Sequence, residues 1–274
     1  MRSVRGRTPE PVVTCGMPPF VADQMPTRAP HHTNHRPTGR RFALVLAAAL
    51  LAAPALPPLH SEYGRGMGQL EAQTPTLRGA VGHWTDTTVG PAAIVVNGER
   101  WSGKTSPADL RRLGVQLFGT SSDRFVQNGS AAEAFPFAVH TATTSFSSGT
   151  LRAQFNMLGG ESDQVAGILF GLSPDGEYYA ARYNTKEGNL AIWGFANGER
   201  RVMVRSTGKR QLPLRTWHTL QVTITGNVAR VSLAADSTLS VSHTFDTAPT
   251  GRVGVWVKRD AITAFRSFDV LPQP

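Results

Sequence analysis

A single cysteine, Cys15, stands in the whole chain, so the sequence offers neither a disulfide framework nor a thiolate metal site. No cysteine follows the apolar run that starts at Phe42, which argues against a lipid-modified cysteine there. That run ends near Ala53 and falls short of the roughly 20 residues a spanning helix needs. No G-x-S-x-G nucleophile elbow occurs, which removes the usual route to serine hydrolysis. His140, His218 and His243 lie far apart and form no pair at a spacing of two to four, so no histidine-based metal site is expected. No dense Lys/Arg stripe with interleaved aromatics appears either, which removes a nucleic-acid partner.

The formal charge of +9 does not contradict that exclusion. Residues 1–55 carry seven Lys/Arg against two Asp/Glu, so more than half of the surplus belongs to the N-terminal region. There, RPTGRRFALVLAAALLAAPALPP (36–58) has a basic start, an apolar run and small residues at Ala53 and Ala55, the design of a signal peptide cleaved after Ala55. Met17 and Met25 are alternative starts, and Arg40-Arg41-Phe42 leaves general and twin-arginine export both open. Three segments are therefore expected: an N-terminal extension and signal peptide (1–55), a Pro/Gly/Ser-rich lead-in (56–80) and a folded domain (81–274). The mature protein is expected in the periplasm or outside the cell, touching a membrane only if the leader is retained as an anchor.

Beyond the lead-in, strand-like runs recur with turn residues between them. AAIVV and ERW, joined by Asn97-Gly98, read as a hairpin. SPADLRRLG has Ser106 to cap, Pro107 to start and Gly114 to stop one short helix near 107–113. Strands are then expected at 165–172, 178–184, 190–195, 201–206, 218–224, 228–234, 239–245, 251–258 and 262–270, with no second helix. Alternation assigns faces: Tyr179, Ala181 and Tyr183 oppose Tyr178, Ala180, Arg182 and Asn184, while Val253, Val255 and Val257 oppose Gly254, Trp256 and Lys258. One buried and one solvated face per strand is the requirement of an all-β antiparallel sandwich or jelly roll.

One motif points elsewhere. In NGERWSGKTS (97–106), Gly98, Gly103, Lys104 and Thr105 match the phosphate-cradling G-x-x-x-x-G-K-[ST]. A working P-loop needs a parallel strand before it and a substantial helix in a βαβ sheet behind it. An antiparallel context excludes that use, so no nucleotide and no cofactor is expected.

Several stretches carry a resemblance: FPFAV (135–139), DQVAGILFGLSPDGEYYAARYNTKEGNLAIW (163–193), WHTLQVTITG (217–226) and GRVGVWVKRDAITAFRSFDV (251–270). Over roughly residues 92–270 the chain resembles exported bacterial concanavalin A-like (laminin-G-like) jelly-roll proteins related to domain of unknown function 1080 and 3-keto-disaccharide hydrolase-like proteins. It departs from them at Arg259, where a small residue is usual, and at Arg266-Ser267, where an acidic one is. The resemblance implies a concanavalin A-like sandwich whose concave sheet meets saccharide. The Glu-x-Asp-x-x-Glu strand of family-16 glucanases is missing; Glu161-Ser162-Asp163 is the nearest approach.

The candidate groove is the polar face shared by two strands and their turns: Tyr178, Arg182, Asn184, Glu187, Trp256, Lys258 and Asp260. Aromatic planes stack on pyranose rings, while Arg, Asn and Lys hydrogen-bond hydroxyls or acidic groups. The expected function is glycan binding or envelope association without an evident catalytic motif. The alternative is a glycoside-active enzyme in which Glu187 and Asp260 meet as an acid/base pair. The opposing structural reading packs Tyr178 and Trp256 under loops and pairs Arg182 with a carboxylate. Arg200-Arg201 is read as solvated turn charge.

Overall fold

Ser106 Oγ accepts the backbone N–H of Asp109 at 3.1 Å, so the first helix begins where the capping pattern places it. It does not stop at Gly114. Helix α1 (Pro107–Phe118) runs on to Gly119, whose left-handed backbone returns its N–H to Val115 O at 2.8 Å. Gly114 marks a helix–helix contact instead: a Cβ there would lie 2.5 Å from Ser121 Oγ and 3.2 Å from Phe125 Cδ1. The partner is α2 (Asp123–Ala131), a second helix where one was expected. Its sequence, DRFVQNGSA, has weak helical propensity, and tertiary bonds hold it. Asn128 donates to Asp175 O at 2.8 Å and accepts the Gly198 N–H at 2.6 Å.

A computed structural model of the chain describes residues 76–87, 93–100, 105–131, 135–234 and 236–273. The expected leader, nearly all of the expected lead-in, and Trp101–Lys104 of the P-loop pattern lie outside the described residues. Strands β1 (Leu77–Val81), β2 (Trp84–Thr87) and β3 (Ala93–Asn97) precede the helices. After them come β4 (Phe137–His140), β5 (Gly149–Gly159), β6 (Val165–Leu172), β7 (Tyr178–Asn184), β8 (Asn189–Ala196) and β9 (Glu199–Arg205). The series ends with β10 (Trp217–Thr225), β11 (Val228–Leu233), β12 (Asp236–Thr244), β13 (Arg252–Trp256) and β14 (Ile262–Pro272).

They form two seven-stranded antiparallel sheets, ordered β1-β4-β13-β6-β7-β8-β9 and β12-β11-β10-β5-β14-β3-β2. The expected all-β antiparallel sandwich is what the chain forms. Two details differ. Strand β1 pairs with β4 from Leu77 onward, so the first sheet recruits residues assigned to the lead-in. Asn97-Gly98 makes no hairpin: β3 runs into a 3-10 turn, Gly98–Arg100, and pairs with β2 and β14. The Gly98 N–H donates to Ala261 O at 3.1 Å, and a Cβ on Gly98 would sit 2.1 Å from Arg259 O. Close backbone approach thus explains this glycine of the P-loop pattern, and the strand before it is antiparallel.

The core fills by alternation. Leu151, Ala153 and Phe155 of β5, Leu220, Val222 and Ile224 of β10, and Ala229 and Val231 of β11 are buried in one cluster with Ala181, Tyr183, Leu190 and Ile192 of the first sheet. The second sheet keeps a polar outer face, where Arg152 Nε donates to Gln221 Oε1 at 2.9 Å. The first sheet does not follow the expectation of one solvated face. Tyr178, Ala180, Arg182 and Asn184 are as buried as Ala181 and Tyr183. Phe135 lies over this outer face, while the α1–α2 pair docks on the β6–β7 and β8–β9 turns. Gly98→Ala is expected to cost about 2 kcal/mol or more in urea-induced unfolding, because the new methyl meets backbone rather than a side chain that can turn aside.

Candidate functional site

Register places the candidate residues. Trp256 of β13 stands opposite Gly167 of β6, Gly167 opposite Arg182 of β7, Arg182 opposite Ala191 of β8, and Ala191 opposite Arg205 of β9. This row crosses the outer face of the first sheet. Two residues further along each strand, the same face carries Ala180 opposite Trp193. Tyr178 and Phe195 follow, again as neighbours.

The aromatic planes in these rows are already occupied. Tyr178 stacks on Phe195 with centroids 4.4 Å apart and planes 14° from parallel. Trp256 stacks on Phe135 at 5.5 Å and 17°. The Trp193 ring lies beneath two guanidiniums, Arg200 at 4.6 Å and Arg205 at 5.1 Å. Arg200 also covers Phe135 at 5.2 Å, so the expected solvated charge is exposed as read but stands in strand β9, not in a turn, with its guanidinium over two rings. Sugar stacking on Tyr178 or Trp256 therefore has no free plane to use. The structural reading of these two aromatics is the one the packing follows. Burial pushes the Tyr178 hydroxyl well above its usual range, with the Trp256 indole N–H beside it offsetting part of the rise.

At the far end of the face the polar candidates converge. Arg182 is 1% exposed and donates to Glu187 Oε2 at 2.8 Å, to the Asn189 carbonyl oxygen at 3.2 Å and to the Asn189 side-chain oxygen. Glu187 reaches back because the β7–β8 turn is only four residues long, closed by the Gly188 N–H donating to Asn184 O at 2.8 Å. Asn184 Nδ2 bridges two carboxylates, Asp163 Oδ1 at 3.2 Å and Glu187 Oε1 at 3.1 Å. Lys258 Nζ donates to the same Asp163 oxygen at 3.0 Å. Asp163, in the β5–β6 loop, is thus a central member that the sequence pattern did not single out. Its other oxygen, 3.8 Å from Arg259 Nε, accepts no hydrogen bond among the described residues, and Arg182 Nε donates none.

Asp260 has a different task. Its two oxygens accept the backbone N–H groups of Ser162 (2.6 Å) and Asp163 (3.0 Å), which fixes the loop that presents Asp163. The structure gives it no bond to Glu187, so the expected acid/base pair is not assembled; the carboxylate that shares a partner with Glu187 is Asp163. Burial alone would raise the Glu187 carboxyl, but Arg182, the Asn189 amide and Lys258 more than reverse this and hold it below its usual range. Asp260 is likewise lowered, its backbone donors outweighing burial. Burial draws the Arg182 guanidinium down, opposed by Glu187.

A separate cleft of about 440 Å³ opens at the other end of the sandwich, with Tyr179, Glu177, Arg201, Asp246 and Ala248 among its lining. Among the described residues, no group of three His, Cys, Asp or Glu side chains is placed to hold a metal ion, and no helix is long and apolar enough to cross a membrane.

No protein-family model and no curated protein matches the chain. Solved structures similar to it include the carbohydrate-binding module CBM66 from Bacillus subtilis, at 16% identity and TM-score 0.49 over 72% of this chain and 98% of that one. The GH43 protein BlXynB from Bacillus licheniformis is similar at 11% identity and TM-score 0.42, over 69% of this chain and 34% of its own length. Chicken galectin 2 is similar at 12% identity and TM-score 0.35, over 46% and 96%. The likeness is one of β-sandwich layout.

Because Glu187 and Asp260 titrate lower in the folded chain than in the unfolded one, the stability they confer is complete above about pH 5 and lost as pH falls through their folded values, below the ordinary carboxylate range. Glu187→Gln and Asp260→Asn are each expected to flatten the fall in stability between about pH 5 and about pH 2.5, followed by urea unfolding at fixed pH. An unchanged slope in both variants would contradict the assignment.

Proposed function

We propose that this protein is an exported glycan-binding module whose site is the polar end of the first sheet's outer face. One observation carries the reading. Central strands β6, β7 and β8, otherwise buried on both faces, hold a connected set of polar groups, Arg182, Asn184, Glu187, Asn189, Asp163 and Lys258, that reaches the surface at Glu187 and Lys258. Burying a guanidinium and a carboxylate costs several kcal/mol, and each polar atom left without a partner costs about 1–3 kcal/mol more. A sandwich selected for stability alone is better served by apolar residues at these positions. Saccharide hydroxyls donate and accept, and so suit a rim that offers carboxylate, amide and ammonium together.

The resemblance of residues 163–193 and 251–270 to exported concanavalin A-like proteins related to domain of unknown function 1080 supports the same reading, as does the signal-peptide design at 36–58. Membership of that group and export are parts of this proposal. So is the absence of catalysis: each carboxylate of the network is tied to a cation and to the Asn184 amide, and no free acid/base pair faces the surface.

The mature protein is expected to be retained on at least one member of an immobilised polysaccharide panel and to leave it uncleaved. Glu187→Gln should weaken that binding about tenfold, equivalent to about 1.4 kcal/mol, while the far-ultraviolet circular dichroism stays that of the wild type. Retention on no polysaccharide overturns the module, and release of saccharide product overturns its non-catalytic nature. Export is checked by mass spectrometry of the secreted chain, whose N-terminus should be Leu56.

A further inference from the structure

Strand β9 breaks the simple alternation of faces. Arg200 and Arg205 are five residues apart, an odd spacing that sends two side chains to opposite faces of a regular strand. Yet Arg205 pairs with Ala191 and Arg200 with Phe195, both on the outer face, because the β8–β9 ladder shifts register between Ile192 and Trp193. The bulge brings both guanidiniums over the one Trp193 ring. The two guanidinium centres are therefore no more than about 10 Å apart.

Charge is unbalanced where they meet the polar end. Glu187 is engaged by Arg182, and Asp163 by Lys258 and Arg259. Arg200 and Arg205 have no carboxylate partner among the described residues. Burial first, then the neighbouring Arg259 and Arg205, pull the Arg200 guanidinium below its usual range, opposed in part by Asp163. Holding more cations than anions together is unfavourable, and a bound anion relieves it. With the aromatic planes covered, the layer offered to a ligand is guanidinium, whose fork matches carboxylate and sulfate oxygens in pairs.

We propose that the saccharide bound at this site is anionic, carrying carboxylate or sulfate groups, and that Arg200 and Arg205, both brought to the Trp193 ring by the β9 bulge, read that charge. This rests on the glycan reading above and adds the ligand's class to it. The two guanidiniums cover a single ring of one face instead of forming a long stripe, which favours a short charged stretch of saccharide over a nucleic-acid backbone.

The test compares matched pairs of probes: polygalacturonate with its methyl ester, and dextran sulfate with dextran, the pairs separating carboxylate from sulfate. Wild type should bind at least one anionic member about tenfold more tightly than its neutral partner, with the gap closing as salt is raised. Arg200→Gln and Arg205→Gln should each cut that preference about threefold or more while leaving thermal unfolding near wild type. Ala248→Trp, which fills the cleft at the other end, should leave it unchanged. Equal binding of charged and neutral members, or equal loss of both in the arginine variants, overturns the anionic class while the glycan site stands. Retention of single-stranded DNA as strong as that of the anionic polysaccharide also overturns it. Binding of no saccharide removes the glycan reading itself, and this proposal with it.

Discussion

A guanidinium that water cannot reach sets the terms for one end of this molecule. Arg182 sits mid-sheet, covered on both faces, and a charge so placed survives only with a counter-charge and a hydrogen bond for nearly every donor. The tight β7–β8 turn supplies Glu187 and Asn189 within seven residues of it. Glu187 in turn shares the Asn184 amide with Asp163, Asp163 takes Lys258, and Asp260 pins the loop that holds Asp163. Three chain segments distant in sequence are thereby tied to a single buried charge. Removing one member leaves another unpaired in a poorly solvated place, so the set stands or falls as a unit.

The two sheets answer the same fold in different ways. The second follows the usual rule for a sandwich, with Leu220, Val222 and Ile224 inward and Thr219, Gln221 and Thr223 toward solvent. The central strands of the first are buried on both sides, and their outer aromatics meet rings and guanidiniums of their own chain: Phe195 on Tyr178, Phe135 on Trp256, Arg200 and Arg205 on Trp193. What the protein shows at that face is a thin cationic layer resting on an aromatic floor. Such a layer offers charge and hydrogen-bond donors where a bare aromatic face would offer stacking.

Much of this could be read from the letters alone. The bounds and faces of β7 follow from the alternation in YYAARYN, and the Asn197-Gly198 hairpin is where the turn rule puts it, both residues with positive φ. Strand β5 is the longest omission: Leu151, Ala153 and Phe155 alternate between the turn signals Ser148-Gly149 and Gly159-Gly160, so its existence was legible, while its place between β10 and β14 is a matter of long-range pairing. Helix α2 is held by contacts rather than propensity, and its one local signal is the cap at Ser122, whose Oγ accepts the Phe125 N–H at 3.0 Å. The shared face of Tyr178, Arg182, Asn184, Trp256 and Lys258 was legible, being a consequence of period two. Their burial was not, because Phe135 belongs to another stretch of chain. Asp163 lacked any signal beyond being a loop carboxylate, and Arg200 and Arg205 had a spacing that pointed the wrong way.

That misleading spacing has a wider meaning. In β9 the position of positive charge depends on how many residues lie between the two arginines as much as on what they are. The same five-residue spacing paired without the register shift between Ile192 and Trp193 would keep every side chain mentioned above and still turn one guanidinium inward, toward Tyr179 and Met203, away from its partner. Electrostatic character in this sandwich is thus written partly in register, and a change that straightened β9 at its present length would alter what the surface attracts without altering its composition.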